Sequence, residues 1–191
     1  GYLLLLNNDT EMINDDCLNE LLSYTERDDV GITGARLLYE DNTVQHAGVV
    51  IGYNGLAGHT FVGNEPDDVG YHAYVIQARD YSAVTAACLM VKASLYDEVG
   101  GFEEELEVAF NDVDFCLKVR EKGYLVVYNP YAVLYHYESK SRGYEDTPEK
   151  RNRFEKEAFF TYNKWEKILA DGDPCYNPNL TLSNSDFSLR E

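Results

Sequence analysis

The most constraining feature of this sequence is the run Tyr2-Leu3-Leu4-Leu5-Leu6. Apolar residues without polar alternation are the pattern of a strand covered on both faces, which requires other strands beside it and helices above and below. The expectation is an α/β fold around a central sheet. Because nothing precedes the run, its neighbours are expected in a part of the fold upstream of this chain, and the edge left behind is expected to favour self-association.

A polar turn, Asn7-Asn8-Asp9-Thr10, follows the run. Next comes a helix expected over 15–26, with Cys17, Leu18, Leu21 and Leu22 on one face. Residues 30–33, 36–39, 49–51 and 84–91 read as strands, and the glycine-rich stretch 52–70 reads as a mobile loop. A short helix is expected over 93–99, stopped by Gly100-Gly101. A second helix over 112–122 closes on Gly123, and strands at 124–128 and 132–137 flank Asn129-Pro130. Thr147 and Pro148 are the N-cap and first turn of an amphipathic helix carrying Phe154, Ala158, Thr161, Trp165 and Leu169. Beyond Asp171 the chain is polar and turn-rich, so the organisation expected is one main unit over 1–144, with a C-terminal helix and surface tail over 145–191.

Composition narrows the partners. Lys and Arg number 16 against 34 Asp and Glu, a net charge of −18. The run Lys150, Arg151, Arg153, Lys156 is interleaved with Glu149, Glu155 and Glu157, so no basic stripe is left to neutralise nucleic-acid phosphates. No apolar run approaches the ~20 residues of a membrane span. The cysteines at 17, 88, 116 and 175 show neither zinc nor disulfide spacing, which fits a reducing cytoplasm.

Three stretches place chemistry-bearing residues near strand or helix ends. Asn7-Asn8-Asp9 caps a strand at the side where ligands of open α/β sheets bind, and a carboxylate there can hold Mg²⁺ or Mn²⁺ against a diphosphate; the same residues equally suit a plain turn and helix cap. Phe110-Asn-Asp-Val-Asp-Phe115 opens a helix, where carboxylates complement the macrodipole; Asp112 there can also accept a proton from a hydroxyl. His136-Tyr-Glu-Ser-Lys-Ser-Arg142-Gly143 follows a strand and offers an imidazole with hydroxyl and basic groups for phosphate oxygens. His46, His59 and His72 read as structural or exposed.

Taken in order with Thr85-Ala-Ala-Cys-Leu-Met-Val-Lys92 and Val99-Gly-Gly-Phe102, these stretches resemble a family 2 inverting glycosyltransferase of the GT-A fold, of the rhamnosyltransferase-like group that builds bacterial surface polysaccharide. The resemblance runs through Asp173-Pro174 and Tyr176-Asn-Pro-Asn-Leu180. It implies the C-terminal portion of a GT-A mixed sheet, lacking the N-terminal nucleotide-binding part and inactive alone. It also implies a cytoplasmic protein at or near the inner membrane face, a nucleotide-diphosphate sugar donor and a glycan or lipid-linked glycan acceptor.

Matched by position, Asp112 is the catalytic base, while Asp9 and His136 are ligands of a divalent Mn²⁺ or Mg²⁺. Asn7, Ser139 and Arg142 lie on the donor side, and Asn111 and Asp114 on the acceptor side. Two other classes share parts of this pattern. A haloacid dehalogenase-type phosphatase requires a nucleophilic Asp where this chain has Asn7. A carbohydrate-binding lobe without catalysis needs no base at all.

Overall fold

The computed structural model describes residues 1–137 and 147–190. In chain order the strands are β1 (Tyr2–Leu6), β2 (Thr10–Met12), β3 (Val30–Leu38), β4 (Val44–His46), β5 (Val49–Ile51), β6 (Ala57–His59), β7 (Arg79–Asp80), β8 (Cys88–Lys92) and β9 (Leu125–His136). The helices are α1 (Cys17–Thr25), α2 (Ala93–Glu98), α3 (Asn111–Glu121), α4 (Pro148–Lys164) and α5 (Glu166–Asp171). The central sheet runs β1-β8-β3-β9-β2, with β4 alongside β3 and β7 alongside β9. Among the described residues only β3 and β9 pair in parallel; β8 is antiparallel to both β1 and β3.

Alternating side chains divide the sheet between two cores. Ala35, Leu37, Cys88, Met90 and Leu134 pack with Cys17 and Leu21 of α1. Ile32, Leu89, Val91 and Val126 face a larger cluster with Phe115, Val119 and Trp165. β8, like β3, is buried on both faces, which accounts for its unalternated Cys-Leu-Met-Val. The first strand does not fit that expectation. β1 is an antiparallel edge strand, with Tyr2 and Leu6 more than two-fifths exposed, because among the described residues β8 alone pairs with it.

Other expectations are corrected by continuity. β3 passes through Gly34 without a break. An added Cβ at Gly34 would lie 2.5 Å from the Cβ of Val84, so glycine there lets the segment before β8 cross close to the sheet. β9 likewise runs through Asn129-Pro130, since its ladder with β3 steps from Ala35↔Asn129 to Arg36↔Val133 and loops out the residues between. Val84–Ala87 is not strand; β8 begins at Cys88.

The stretch expected to be a mobile loop carries a 3₁₀ turn at Tyr53–Gly55, β6 and the buried Phe61. The C-terminal segment is anchored rather than merely draped over the surface. Asp173 is buried, with its carboxylate accepting from Ile51 N (2.7 Å), Ser82 Oγ (2.6 Å) and Cys175 N (2.7 Å). Phe187 stacks on Phe61 with ring centroids 4.5 Å apart.

Thr147 accepts from Lys150 N and caps α4 as its sequence implied. The four cysteines are free thiols. Among the described residues, no helix is long and apolar enough to cross a membrane.

Candidate active site

The turn after β1 meets the far end of β9. Thr10 pairs with His136, and Tyr137 N donates to Asp9 O at 2.8 Å, so the β2–β9 ladder fixes Asp9 against the histidine. His136 Nε2 lies 3.3 Å from Asp9 Oδ1 and 3.2 Å from Asn7 Nδ2. Its other nitrogen, Nδ1, is 2.7 Å from Gln45 Oε1, while Gln45 Nε2 donates to His136 O at 3.1 Å.

That last contact decides the tautomer. With the Gln45 NH₂ group committed to a carbonyl, its oxygen faces Nδ1, so Nδ1 carries a proton, and in the neutral ring Nε2, beside Asp9 and Asn7, is the nitrogen left to bind a cation. An imidazole backed by a hydrogen-bond acceptor, with a carboxylate oxygen alongside, is a donor set that suits Mn²⁺ better than Mg²⁺, which takes oxygen ligands. Among the described residues no cluster of three or more His, Cys, Asp and Glu is placed to hold a metal ion. A cation at Asp9 and His136 would therefore need oxygens from elsewhere, as a diphosphate supplies. Ser139 and Arg142, expected on the donor side, lie outside the described residues.

Asp112 stands in the first turn of α3. Its Oδ2 accepts from Ala86 N at 3.2 Å and its Oδ1 from Val113 N at 2.8 Å. The neighbouring residue Ala87 accepts from Asn7 N at 3.0 Å, so the strip Ala86–Ala87 joins the base candidate to the metal turn. Asn111 lies beside Asp112 and is partly exposed.

The approach to α3 is held under tension. Phe110, its N-cap, has φ 61°, a left-handed conformation that costs a residue with a Cβ on the order of 1–2 kcal/mol. Two residues of α4 hold it there. Phe154 packs on the Phe110 ring at 5.5 Å, and the buried Glu157 carboxylate accepts from Glu107 N (3.1 Å), Val108 N (3.3 Å) and Ala109 N (2.7 Å). Sequence reasoning passed over Glu157 as part of a solvated charge run. Its signal was a carboxylate one turn before Thr161 on the buried stripe.

Asp114 does not face an acceptor as expected. It is fully buried, and its Oδ1 accepts from Trp165 Nε1 (2.9 Å) and Lys164 Nζ (2.8 Å), with Lys118 Nζ 3.3 Å from Oδ2. Its role is to bind α4 and α5 to α3. Gln45 was also missed, whereas His46 is structural, in line with its sequence reading. His46 is fully buried, its Nε2 3.4 Å from Thr85 N, its ring 4.7 Å from that of His59, and its Nδ1 without a partner among the described residues. Burial, reinforced by His59 and His136, holds its pKa well below the ordinary range.

The architecture is that of the GT-A glycosyltransferases. It overlays a crystal structure of GalNAc-T7 with UDP, GalNAc and Mn²⁺ at a TM-score of 0.63, over 89% of this chain and 32% of that one, at 11% identity. It also overlays the mannosyltransferase PcManGT from Pyrobaculum calidifontis, in complex with GDP-Man and Mn²⁺, at a TM-score of 0.52 over 85% of this chain and 38% of that one, at 15% identity.

No family model matches the sequence. The chain is 50% identical over 97% of its length to the uncharacterized protein y4gI of Sinorhizobium fredii, and 37% identical over 98% of its length to the O-antigen biosynthesis protein RfbC of Myxococcus xanthus. It spans 20% and 14% of those two proteins. Residues matching 31% of the chain are 35% identical to an N-acetylglucosaminyl-diphospho-decaprenol L-rhamnosyltransferase of Mycobacterium tuberculosis, covering 20% of that enzyme.

Proposed function

We propose that this chain carries the catalytic half of a metal-dependent inverting glycosyltransferase of family 2. It would move a sugar from a nucleotide-diphosphate donor to a hydroxyl of a glycan acceptor during synthesis of bacterial surface polysaccharide. The observation that carries the reading is the convergence of Asp9, His136 and Asn7 at one end of the Ala86–Ala87 strip whose amide binds Asp112. The names of the O-antigen and rhamnosyltransferase relatives support it, as do Mn²⁺ and nucleotide sugars in the structural neighbours.

Asp9 and His136 would hold a divalent ion, which when bound supplies positive charge to a leaving diphosphate. Gln45 fixes the imidazole so that Nε2 keeps its lone pair. The Asn7 side-chain NH₂ lies beside the same nitrogen and would turn away from it, toward the donor, when Nε2 binds the ion. Asp112 takes the proton from the acceptor hydroxyl as that oxygen attacks the anomeric carbon, and the sugar–phosphate bond breaks on the opposite face. One displacement with no covalent sugar–enzyme intermediate inverts the anomeric centre. The amide of Ala86, donating to Oδ2, holds the carboxylate in one rotamer during the transfer.

Transfer from a panel of nucleotide-diphosphate sugars to polysaccharide acceptors, with Mn²⁺ or with excess chelator, tests this. Transfer should require the metal and fall sharply in Asp9→Ala. Full activity in chelator would remove the metal from the reaction. Glycan binding without transfer from any donor would favour a binding lobe.

A further inference from the structure

The C-terminal segment builds a second concavity that the transfer chemistry does not use. Leu180 bridges to Leu189, Thr181 N donates to Ser188 O at 2.9 Å, and Arg190 N donates to Asn179 O at 2.8 Å, so residues 180–189 form a closed loop. Phe187, with φ 60°, is inserted among Phe61, Tyr71, Tyr74 and Tyr176. Asn54 N donates to Leu182 O and Phe61 N donates to Ser185 O, both at 3.1 Å, which lock the tip of the loop opposite the 3₁₀ turn and β6. Between them lies an open cavity of about 640 Å³.

Its walls select a ligand. Asn54, His59, Ser183, Asn184, Ser185 and Asp186 supply amides, hydroxyls, an imidazole and a carboxylate, while Tyr53, Val62 and Leu182 add apolar surface. No Lys or Arg lines it, so it is not built for phosphate or a carboxylate ligand. Asp186 keeps its charge, because the amide and hydroxyl of Ser188 both donate to Oδ1 and hold its carboxyl below the usual range. Such a charge is a strong acceptor for a hydroxyl donor. Dense short polar groups beside a tyrosine and two aliphatic faces match a sugar ring, which has a hydroxylated rim and apolar C–H faces. The volume falls within the roughly 300–1,000 Å³ of small-ligand sites and holds two to three sugar units at most.

The cavity is also joined to the transfer site. His59 lines it and packs on His46, and His46 Nε2 faces the amide of Thr85, next to the Ala86 that binds Asp112. We infer that this cavity is a subsite for a neutral oligosaccharide, holding acceptor sugars beyond the one whose hydroxyl reacts. The inference rests on the transferase reading for the word acceptor, but the binding itself can be tested apart from it.

The test is a two-dimensional NMR titration of the isotope-labelled 191-residue chain with neutral trisaccharides of hexose, 6-deoxyhexose and N-acetylhexosamine. The charged controls are a sialylated trisaccharide and a glucosamine oligomer. At least one neutral probe should shift the amides of Asn54, Gly58, Asn184 and Ser185 in a saturable way. The double variant Asn54→Gly, Asn184→Ala keeps the left-handed backbone at Asn54 and removes two side-chain amides, so it should weaken binding roughly tenfold or more, the worth of two hydrogen bonds, with an unchanged thermal midpoint.

No saturable shift with any neutral probe at 20 mM overturns the inference, where ~20 mM is a generous ceiling for weak sites. Shifts confined to other residues, or a preference for either charged control, overturn it as well. Absence of transfer from every nucleotide-diphosphate sugar sinks the transferase reading and leaves the cavity binding standing. Transfer that is intact in the double variant at every acceptor length removes the subsite alone.

Discussion

His136 Nε2 lies 3.3 Å from Asp9 Oδ1, although one residue ends the longest strand and the other sits in the turn after the first. What brings them together is a three-residue ladder, β2 on β9, and what gives the contact chemical direction is Gln45.

Gln45→Leu should therefore act through His136. Without an acceptor at Nδ1 the imidazole can rotate or change tautomer, and Mn²⁺ affinity should fall about 10- to 100-fold, the usual cost of losing a group that orients a metal-binding histidine. Gln45→Glu, which keeps an acceptor there, should bind Mn²⁺ better than Gln45→Leu. The measurement is the paramagnetic loss of free Mn²⁺ signal in the presence of a nucleoside diphosphate. Equal affinities in wild type and Gln45→Leu would show that the histidine needs no support.

Glu157 would position the proposed base, Asp112, from a distance. In Glu157→Ala the amides of Glu107, Val108 and Ala109 lose their acceptor, and the left-handed Phe110 is no longer held. Turnover should fall by an order of magnitude or more while donor affinity stays near wild type, because the residues lost belong to the base's approach and not to the metal turn. Hydrogen exchange at 107–112 should speed up. An unchanged exchange rate alongside reduced turnover would mean that Glu157 acts by another route.

His46 gives the fold a pH dependence. Its buried imidazole resists protonation, whereas in the unfolded chain it takes up a proton near its ordinary pKa of about 6.5. The folded pKa is depressed, so this residue's contribution to stability is present above about pH 6.5 and is lost as the pH falls below it, by at most ~1.4 kcal/mol per pH unit. Thermal midpoints between pH 7.5 and 5 should drop more steeply in wild type than in His46→Gln. Parallel curves would show that His46 titrates alike in the folded and unfolded chain.

Much of the architecture was legible in the sequence because helix starts and stops are local: Thr147-Pro148 begins α4, and Gly123 and Gly100-Gly101 follow the ends of α3 and α2, where expected. The breaks read into β3 and β9 were false for one reason. Gly34 and Pro130 weaken a strand in isolation, but here a close crossing of Val84 and a register step against β3 use those same residues.

The pairing of β1 was misread because an apolar run reports burial but not the direction or number of its neighbours. At the site, Asp9, Asp112 and His136 stood out by their positions at strand and helix ends. Gln45, Glu157 and the polar wall at Ser183–Asp186 did not, since their partners lie far away in sequence and only the folded chain brings them within reach.

The central claim is that Asp112 is the base and Asp114 is structural, and one comparison tests it most directly. Sugar transfer by wild type, Asp112→Asn and Asp114→Asn is measured with the donor and acceptor that support turnover, alongside the anomeric configuration of the product, donor affinity and thermal unfolding. Asp112→Asn should lose about 10²- to 10⁴-fold in kcat with donor affinity and midpoint near wild type, the range general-base catalysis contributes. Asp114→Asn should instead lower stability by about 3 kcal/mol, having left Lys164 and Lys118 without their buried partner, and its folded fraction should still transfer sugar. The product should carry the inverted configuration. Near-normal transfer by Asp112→Asn, with a stable but inactive Asp114→Asn or a product of retained configuration, would contradict this account.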